Sequence, residues 1–195
     1  MKDVVIVFAR APRLGAVKRR LARDIGDRAA LRFHRATLLR LLSALVRDRR
    51  FRTVLALTPD RALAPLPLPR SRMLHIGQGH GDLGRRMDRA FRRFPCRRVA
   101  LVGADIPGAG PADLRAAFRA LGGADAAFGP AEDGGYWLVA LGPRRPARPF
   151  AGVRWSSALA LADTLANFAG RRVARLRLLR DVDTEADWRA ARCSA

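Results

Sequence analysis

At 195 residues the chain has the length of one domain with a substantial core. Its longest clean apolar run, Val4 to Ala9, is far too short to span a bilayer, and Met1-Lys2-Asp3 lacks the basic start of a signal peptide, so a cytoplasmic, membrane-free protein is expected. Against 17 acidic residues stand 38 basic ones, a net charge of +21 that would ordinarily suggest nucleic acid.

The distribution of that charge argues otherwise. Arginines are scattered through every expected helix, aromatic interleaving is sparse, and lysine occurs only at positions 2 and 18. Such a bias reads as compositional habit that favours non-specific polyanion binding at low salt over a biological nucleic-acid role. Cys96 and Cys193 lie far apart without a C-x-x-C or Cys/His cluster, so neither a disulfide framework nor a zinc site is indicated.

In chain order, Asp3 to Ala9 is apolar without polar alternation, the pattern of a central strand buried on both faces. Arg10 to Leu21 follows, a loop with proline and glycine breakers that ends in three cations, Lys18, Arg19 and Arg20. A first strand-to-helix loop of this kind is where phosphates are held, by backbone N–H groups and basic side chains, although no Walker A pattern is present. Apolar positions at Ala30, Leu31, Phe33, Leu38, Leu41, Leu42 and Leu45 predict a helix over Asp27 to Asp48. Phe51 to Thr58 reads as a second strand, Pro59 to Pro69 as a crossing loop, and Met73 to Ile76 as a third strand.

Gly79-His80-Gly81-Asp82-Leu83-Gly84 then satisfies G-x-G-x-x-G ahead of a helix reaching Phe94. A dinucleotide fingerprint belongs after the first strand, and this one follows the third, so the match is set aside. The richest stretch is Leu101 to Leu141. A short buried strand, Val99 to Val102, delivers Asp105 into a loop closed by Pro107 and Gly108. At a parallel sheet's C-terminal edge such a carboxylate faces bound phosphates through a cation, which suggests a metal ligand. A second strand, Ala124 to Gly129, leads into Glu132-Asp133-Gly134-Gly135, where paired glycines permit close backbone approach, before Tyr136 to Leu141 resumes the sheet. Taken singly, either loop could be an ordinary turn.

Gly142 to Arg154 is a Pro/Arg-rich connection of the kind that moves. Ser156 is a candidate N-cap for a helix to about Ala169, and Val173 to Leu178 alternates as a last strand. Thr184 and Asp187 fit a capping pattern for the closing helix, which leaves Asp181 and Asp183 together unexplained.

Five ordered motifs, F-A-R-A-P-R-L-G-A-V-K-R-R-L, Q-G-x-G-D-L-G-x-R-M, G-A-D-I-P-G, G-P-A-E-D-G-G-Y and D-V-D-T-E-A-D-W, span nearly the whole chain. Together they resemble the small bacterial GT-A-type glycosyltransferases once described only as a domain of unknown function and labelled radical-SAM/selenodomain-associated or arsenosugar-type transferases. Related proteins are the phospholactate guanylyltransferases and molybdenum-cofactor nucleotidyltransferases. The resemblance implies one nucleotide-diphospho-sugar transferase-like domain over residues 1–195, a three-layer α/β/α, Rossmann-like fold with a mainly parallel mixed sheet.

It also implies roles. Arg10, Gly15, Lys18 and Arg20 would hold the nucleotide, with Gly81, Asp82, Gly84 and Arg86 as a second wall. Asp105 and Asp183 would coordinate Mg²⁺ or Mn²⁺, Asp133 would be the catalytic base, and Gly134, Gly135 and Tyr136 would meet the substrate. The implied partners are a nucleoside diphosphate sugar and a small-molecule acceptor. A nucleotidyltransferase acting on a phosphorylated small molecule is the second hypothesis, and a basic nucleic-acid binding module the third. The chain departs from the family pattern at Lys18-Arg19-Arg20-Leu21, where K-T-R-L is usual, and at Ala104-Asp105-Ile106-Pro107-Gly108, where S-D-C/I-P-x-L is usual.

Overall fold

Strand β1 (Asp3–Arg10) is buried along almost its entire length, as its unbroken apolar run requires, and it sits inside the sheet with β2 (Phe51–Thr58) on one side and β4 (Val99–Gly103) on the other. In the computed structural model of the chain, which describes residues 2–62, 67–68 and 72–193, seven strands form one sheet in the order β3-β2-β1-β4-β6-β5-β7. The others are β3 (Leu74–Gly77), β5 (Ala126–Pro130), β6 (Tyr136–Leu141) and β7 (Val173–Arg175). Every pairing is parallel except those of β6, which runs antiparallel to both β4 and β5. The crossing loop expected from Pro59 to Pro69 lies partly outside the described residues.

Two apolar clusters flank the sheet and make the three layers. On one face Val5, Val7 and Ala9 pack with Leu38, Leu41, Leu42 and Leu45 of helix α2 (Asp27–Arg47) and with Leu114 and Phe118 of α4 (Pro111–Ala120). On the other, Val4, Ile6 and Phe8 meet Met87, Ala90 and Phe91 of α3 (Leu83–Arg92). Burying each such leucine or phenylalanine contributes about 2 kcal/mol, so the apolar stripe of α2 is what fixes it to the sheet. Helix α5 (Ala160–Ala166) lies near the second face, while α1 (Arg19–Ile25) and α6 (Glu185–Cys193) pack together at one end around Leu21, Ala30 and Val182.

Three expectations are corrected. Ser156 does not cap a helix: it has φ +59°, and α5 begins four residues later with Leu159 as its N-cap. The last strand stops at Arg175: the Leu176 N–H still donates to the Phe128 carbonyl at 2.8 Å, and beyond it the chain pairs again as an isolated bridge between Ala131 and Leu179. The connection from Gly142 is tethered, since the Arg145 guanidinium donates to the carbonyls of Phe91, Phe94, Arg97 and Gly142 at 2.6–2.9 Å. The capping pattern of the closing helix is realised. Asp187 accepts from the Thr184 backbone N–H at 2.9 Å, and the Asp187 N–H donates to the Thr184 hydroxyl at 3.3 Å.

Candidate functional site

The chain runs β1, β2, β3 toward one edge of the sheet and then crosses back past β1 to β4. This places the topological switch point between the C-terminal ends of β1 and β4, the position where open α/β sheets bind ligands. The end of β1 and the segment that runs from it into α1 carry Arg10, Gly15, Lys18 and Arg20, and the loop after β4 carries Asp105. The turn between β5 and β6 brings Asp133, Gly134, Gly135 and Tyr136 to the same edge. Backbone bonds from Leu176 to Phe128 and from Leu179 to Pro130 lead the last loop, with Asp181 and Asp183, alongside that turn.

At the switch point Lys18 Nζ lies 2.9 Å from Asp183 Oδ1 and 3.2 Å from Asp105 Oδ2, so one ammonium bridges two carboxylates that are 78 residues apart in sequence. Only 5% of the Lys18 side chain is exposed. It emerges from a left-handed backbone, φ +47° and ψ +48°, at the N-cap of α1. A lysine in that conformation is strained, and such strain clusters at functional sites. Arg20 reaches Asp183 at 3.8 Å from a largely exposed position. Burial lowers the Lys18 pKa, but the two carboxylates outweigh it and the ammonium is held charged.

The sequence reading did not single out His34, which completes this centre from α2. Its Nε2 donates to the Arg10 carbonyl at 3.0 Å, and its Nδ1 faces Asp105 Oδ1 at 3.6 Å. The signal was a polar residue on the buried stripe of α2 between Ala30 and Leu38, one helical turn from each. About half of the Asp105 side-chain surface opens to the cleft, although protein surrounds it on its other sides. Burial pushes its carboxyl upward. The adjacent imidazole and ammonium more than offset this and hold it at about 2, so Asp105 is an anion throughout the physiological range.

Beside Asp105 opens a cavity of about 400 Å³. Phe8, Leu83, Met87, Leu138 and Trp155 give it apolar walls, while Asp105, Asp133 and Asp181 are its charged lining. Tyr136 also lines it, and burial raises its phenol above the ordinary value, which keeps the hydroxyl protonated and a donor. Asp133 is exposed, with Oδ1 accepting the Gly135 N–H at 2.9 Å. Gly134, at φ +82°, leaves no room for a side chain, because a Cβ there would stand 2.2 Å from the Ala158 carbonyl oxygen. Asp181 is a further residue that the site reading omitted. Burial raises its pKa, as do nearby Asp183 and Asp133, against a lowering by Lys18.

The second wall is less uniform. Arg86 donates to the Gln78 side-chain carbonyl at 3.0 Å, and buried Gln78 in turn donates to the carbonyls of Ala9 and Ala56 at 3.1 and 2.9 Å. Burial and the proximity of Arg10 both lower the Arg86 pKa, so two guanidiniums converge beside the switch point. Asp82, by contrast, caps α3 by accepting the Arg85 N–H at 2.8 Å. Gly84 is buried, and a Cβ there would stand 2.9 Å from Phe150 and Trp155 atoms. Gly81 has φ +101° and turns the chain into the helix. These three residues have local structural work and do not line the cavity. Their loop follows the edge strand β3, which is where the G-x-G-x-x-G match loses its dinucleotide context.

Among the described residues no group of three or more histidine, cysteine or carboxylate side chains converges as a ready metal cage, and no helix is long and apolar enough to cross a membrane.

Comparison with known proteins agrees with this architecture. The chain is similar to a Desulfovibrio desulfuricans G20 protein provisionally named a nucleotide-diphospho-sugar transferase, with 28% identity and a TM-score of 0.84 over 94% of this chain and 84% of that one. It shares its fold with 4-diphosphocytidyl-2C-methyl-D-erythritol synthase from Anaerococcus prevotii DSM 20548, at 11% identity and a TM-score of 0.61 over 99% and 96% of the two chains. It also shares it with the manganese complex of Rv0371c from Mycobacterium tuberculosis H37Rv, at 17% identity and a TM-score of 0.52 over the full length of both. No curated protein matches the chain. Residues 41–157, which contain Asp105 and the Glu132 to Gly135 turn, match the profile of a family described as uncharacterized proteins conserved in bacteria, DUF2064, and the chain belongs to that family.

Proposed function

We propose that the protein is a glycosyltransferase that moves a sugar from a nucleoside diphosphate sugar to a small acceptor with the help of a divalent cation. The observation that carries the reading is the shared cation position between Asp105 and Asp183 at the switch point, with the cavity beside it. Lys18 Nζ stands in there for a positive charge, and two carboxylate oxygens are the donor type that Mg²⁺ and Mn²⁺ prefer. A pair of carboxylates suits this class, since Mg²⁺ is usually bound by one or two carboxylates together with substrate phosphates. The manganese complex of the neighbouring fold is in keeping with it.

In this reading Asp105 and Asp183 hold the cation, and Arg10, Arg20 and Arg86 bind the nucleotide's phosphates from the basic side. Lys18 yields the position between the two carboxylates to that cation and adds its charge beside the phosphates. A bound cation supplies neutralisation of the departing nucleoside diphosphate, the main electrostatic requirement of the transfer. Asp133 takes the proton of the acceptor hydroxyl as its oxygen bonds to the anomeric carbon and the bond to the diphosphate breaks, the electron pair leaving with the nucleotide. Asp181 is the reserve base. It lines the cavity with an elevated pKa, whereas Glu132 is exposed and pairs with Arg180 at 3.5 Å.

The pairing of Arg10 with Arg86 suits a triphosphate as well, which keeps nucleotidyl transfer as the second reading. The reactions separate by product. Sugar transfer releases a nucleoside diphosphate, and nucleotidyl transfer releases pyrophosphate. The first test is a thermal-shift panel of nucleotides and sugar nucleotides with and without Mn²⁺. A nucleoside diphosphate at about 100 times its Kd should stabilise the fold by about 2.7 kcal/mol, and only with metal. No shift from any nucleotide would remove the foundation of both transferase readings.

A further inference from the structure

In a protein with 38 lysines and arginines and a net charge of +21, no lysine or arginine among the described residues lines the cavity beside Asp105. Its charged lining is three aspartates, Asp105, Asp133 and Asp181. Lys18 neutralises Asp105 from outside the cavity, but among the described residues no lysine or arginine forms an ion pair with Asp133 or Asp181. The remaining walls are mostly apolar, with Tyr136, Ser156 and Ser157 as the polar exceptions. Phe8 and Met87 are buried beneath it, and Trp155 stands edge-on to Tyr136 with their ring centroids 6.4 Å apart. A space of about 400 Å³ holds one ring with short substituents.

Building on the transfer reaction proposed above, we infer that the acceptor is an unphosphorylated, hydroxyl-bearing molecule with a compact apolar body, neutral or positively charged. The walls reward an apolar ring, and the two aromatic side chains favour a flat or cationic one. A phosphate dianion would instead be lodged against Asp133 and Asp181, which form no ion pair with a lysine or arginine among the described residues, and like charges there repel. The donor's phosphates are served by the basic loop after β1, so the site sorts its two substrates by charge. Asp133, on its glycine turn, faces the acceptor's hydroxyl, and Asp181 faces its body or its cation.

The test uses three probes that share one ring: tyramine, 4-methylphenol and phenyl phosphate. Binding to the full chain is followed by ligand-observed NMR and by tryptophan fluorescence, with Trp155→Phe reporting that the signal comes from this cavity. Tyramine should bind at least as tightly as 4-methylphenol, and phenyl phosphate about tenfold more weakly than either, with or without Mn²⁺. Asp181→Asn should narrow the gap between tyramine and phenyl phosphate and leave 4-methylphenol unchanged. Ala160→Leu, which adds bulk at the cavity wall, should weaken all three. Phenyl phosphate matching tyramine, or overtaking it once Mn²⁺ is added, overturns the inference, as does failure of all three probes to bind. Mn²⁺-dependent nucleotide shifts recorded on the same samples judge the transferase reading separately, because Arg10, Arg20 and Arg86, assigned to the nucleotide's phosphates, are not part of this cavity's lining.

Discussion

Asp105 and Lys18 show how much of this site rests on single ion pairs. Because the folded-state pKa of Asp105 lies near 2, below its value in the unfolded chain, its contribution is fully present above the ordinary carboxylate range and is lost as the pH falls through about 2. Lys18→Met removes the ammonium and should move the Asp105 titration upward, as followed by carboxyl carbon NMR. A midpoint that stays where it was would mean that His34 alone sets it. Asp105→Asn should leave the chain folded and abolish metal-dependent nucleotide stabilisation, since this loop carboxylate is half-exposed and contributes little to the core. A variant that binds the Mn²⁺-nucleotide as tightly as the parent would return Asp105 to the role of a turn residue.

Asp133 makes a sharper case at the same scale. Its Oδ1 accepts the Gly135 N–H, and an asparagine can accept the same bond, so Asp133→Asn preserves the turn while removing the base. Turnover should fall by about 10²- to 10⁴-fold with sugar-nucleotide affinity nearly unchanged, as read from kcat and KM. If turnover stays within a few-fold of the parent, Asp181→Asn becomes the decisive variant.

At the scale of elements, the turn between β5 and β6 and the segment leading into α5 are built against each other. The Leu161 N–H donates to the Gly134 carbonyl at 3.0 Å, and a Cβ at Gly134 would clash with the Ala158 backbone. Gly134→Ala must displace backbone from a positive-φ position, at a cost of about 1–3 kcal/mol in a urea titration. Gly135→Ala meets only the Asp133 carboxylate, at 3.1 Å, and a side chain can yield. It should cost less in stability and more in turnover. Equal losses of stability in the two variants would refute this division between scaffold and site.

Across the whole molecule the net charge is +21, while among the described residues the charged lining of the cavity is three aspartates. A positive field of this size steers anions, so the association rate of a sugar nucleotide should fall as salt rises while that of an uncharged acceptor stays flat, in stopped-flow measurements. DNA should compete with the nucleotide at low salt and lose that ability near physiological ionic strength. DNA binding that persists at that salt would restore the nucleic-acid hypothesis.

What the sequence determined by itself was whatever local patterning controls. The unbroken apolar run of Val4 to Ala9 made β1 a buried strand, the spacing of Leu38, Leu41, Leu42 and Leu45 made α2, and the carboxylate loops after β4 and β5 were legible from their glycines and prolines. The capping of α6 by Thr184 and Asp187 was equally local and could be read directly. Tertiary structure decided which of these features meet. That Lys18 would clasp Asp105 and Asp183 depends on strand order, because only the crossing of β4 to the far side of β1 and the return of the chain along β5 bring three distant loops to one point. His34 and Asp181 escaped for the same reason. Their neighbours in sequence are helix and loop, and their working partners are supplied by other elements. Gly84 and Asp82 escaped in the opposite sense, since a motif names a residue type but only packing tells whether the glycine admits a ligand or, as here, Phe150 and Trp155.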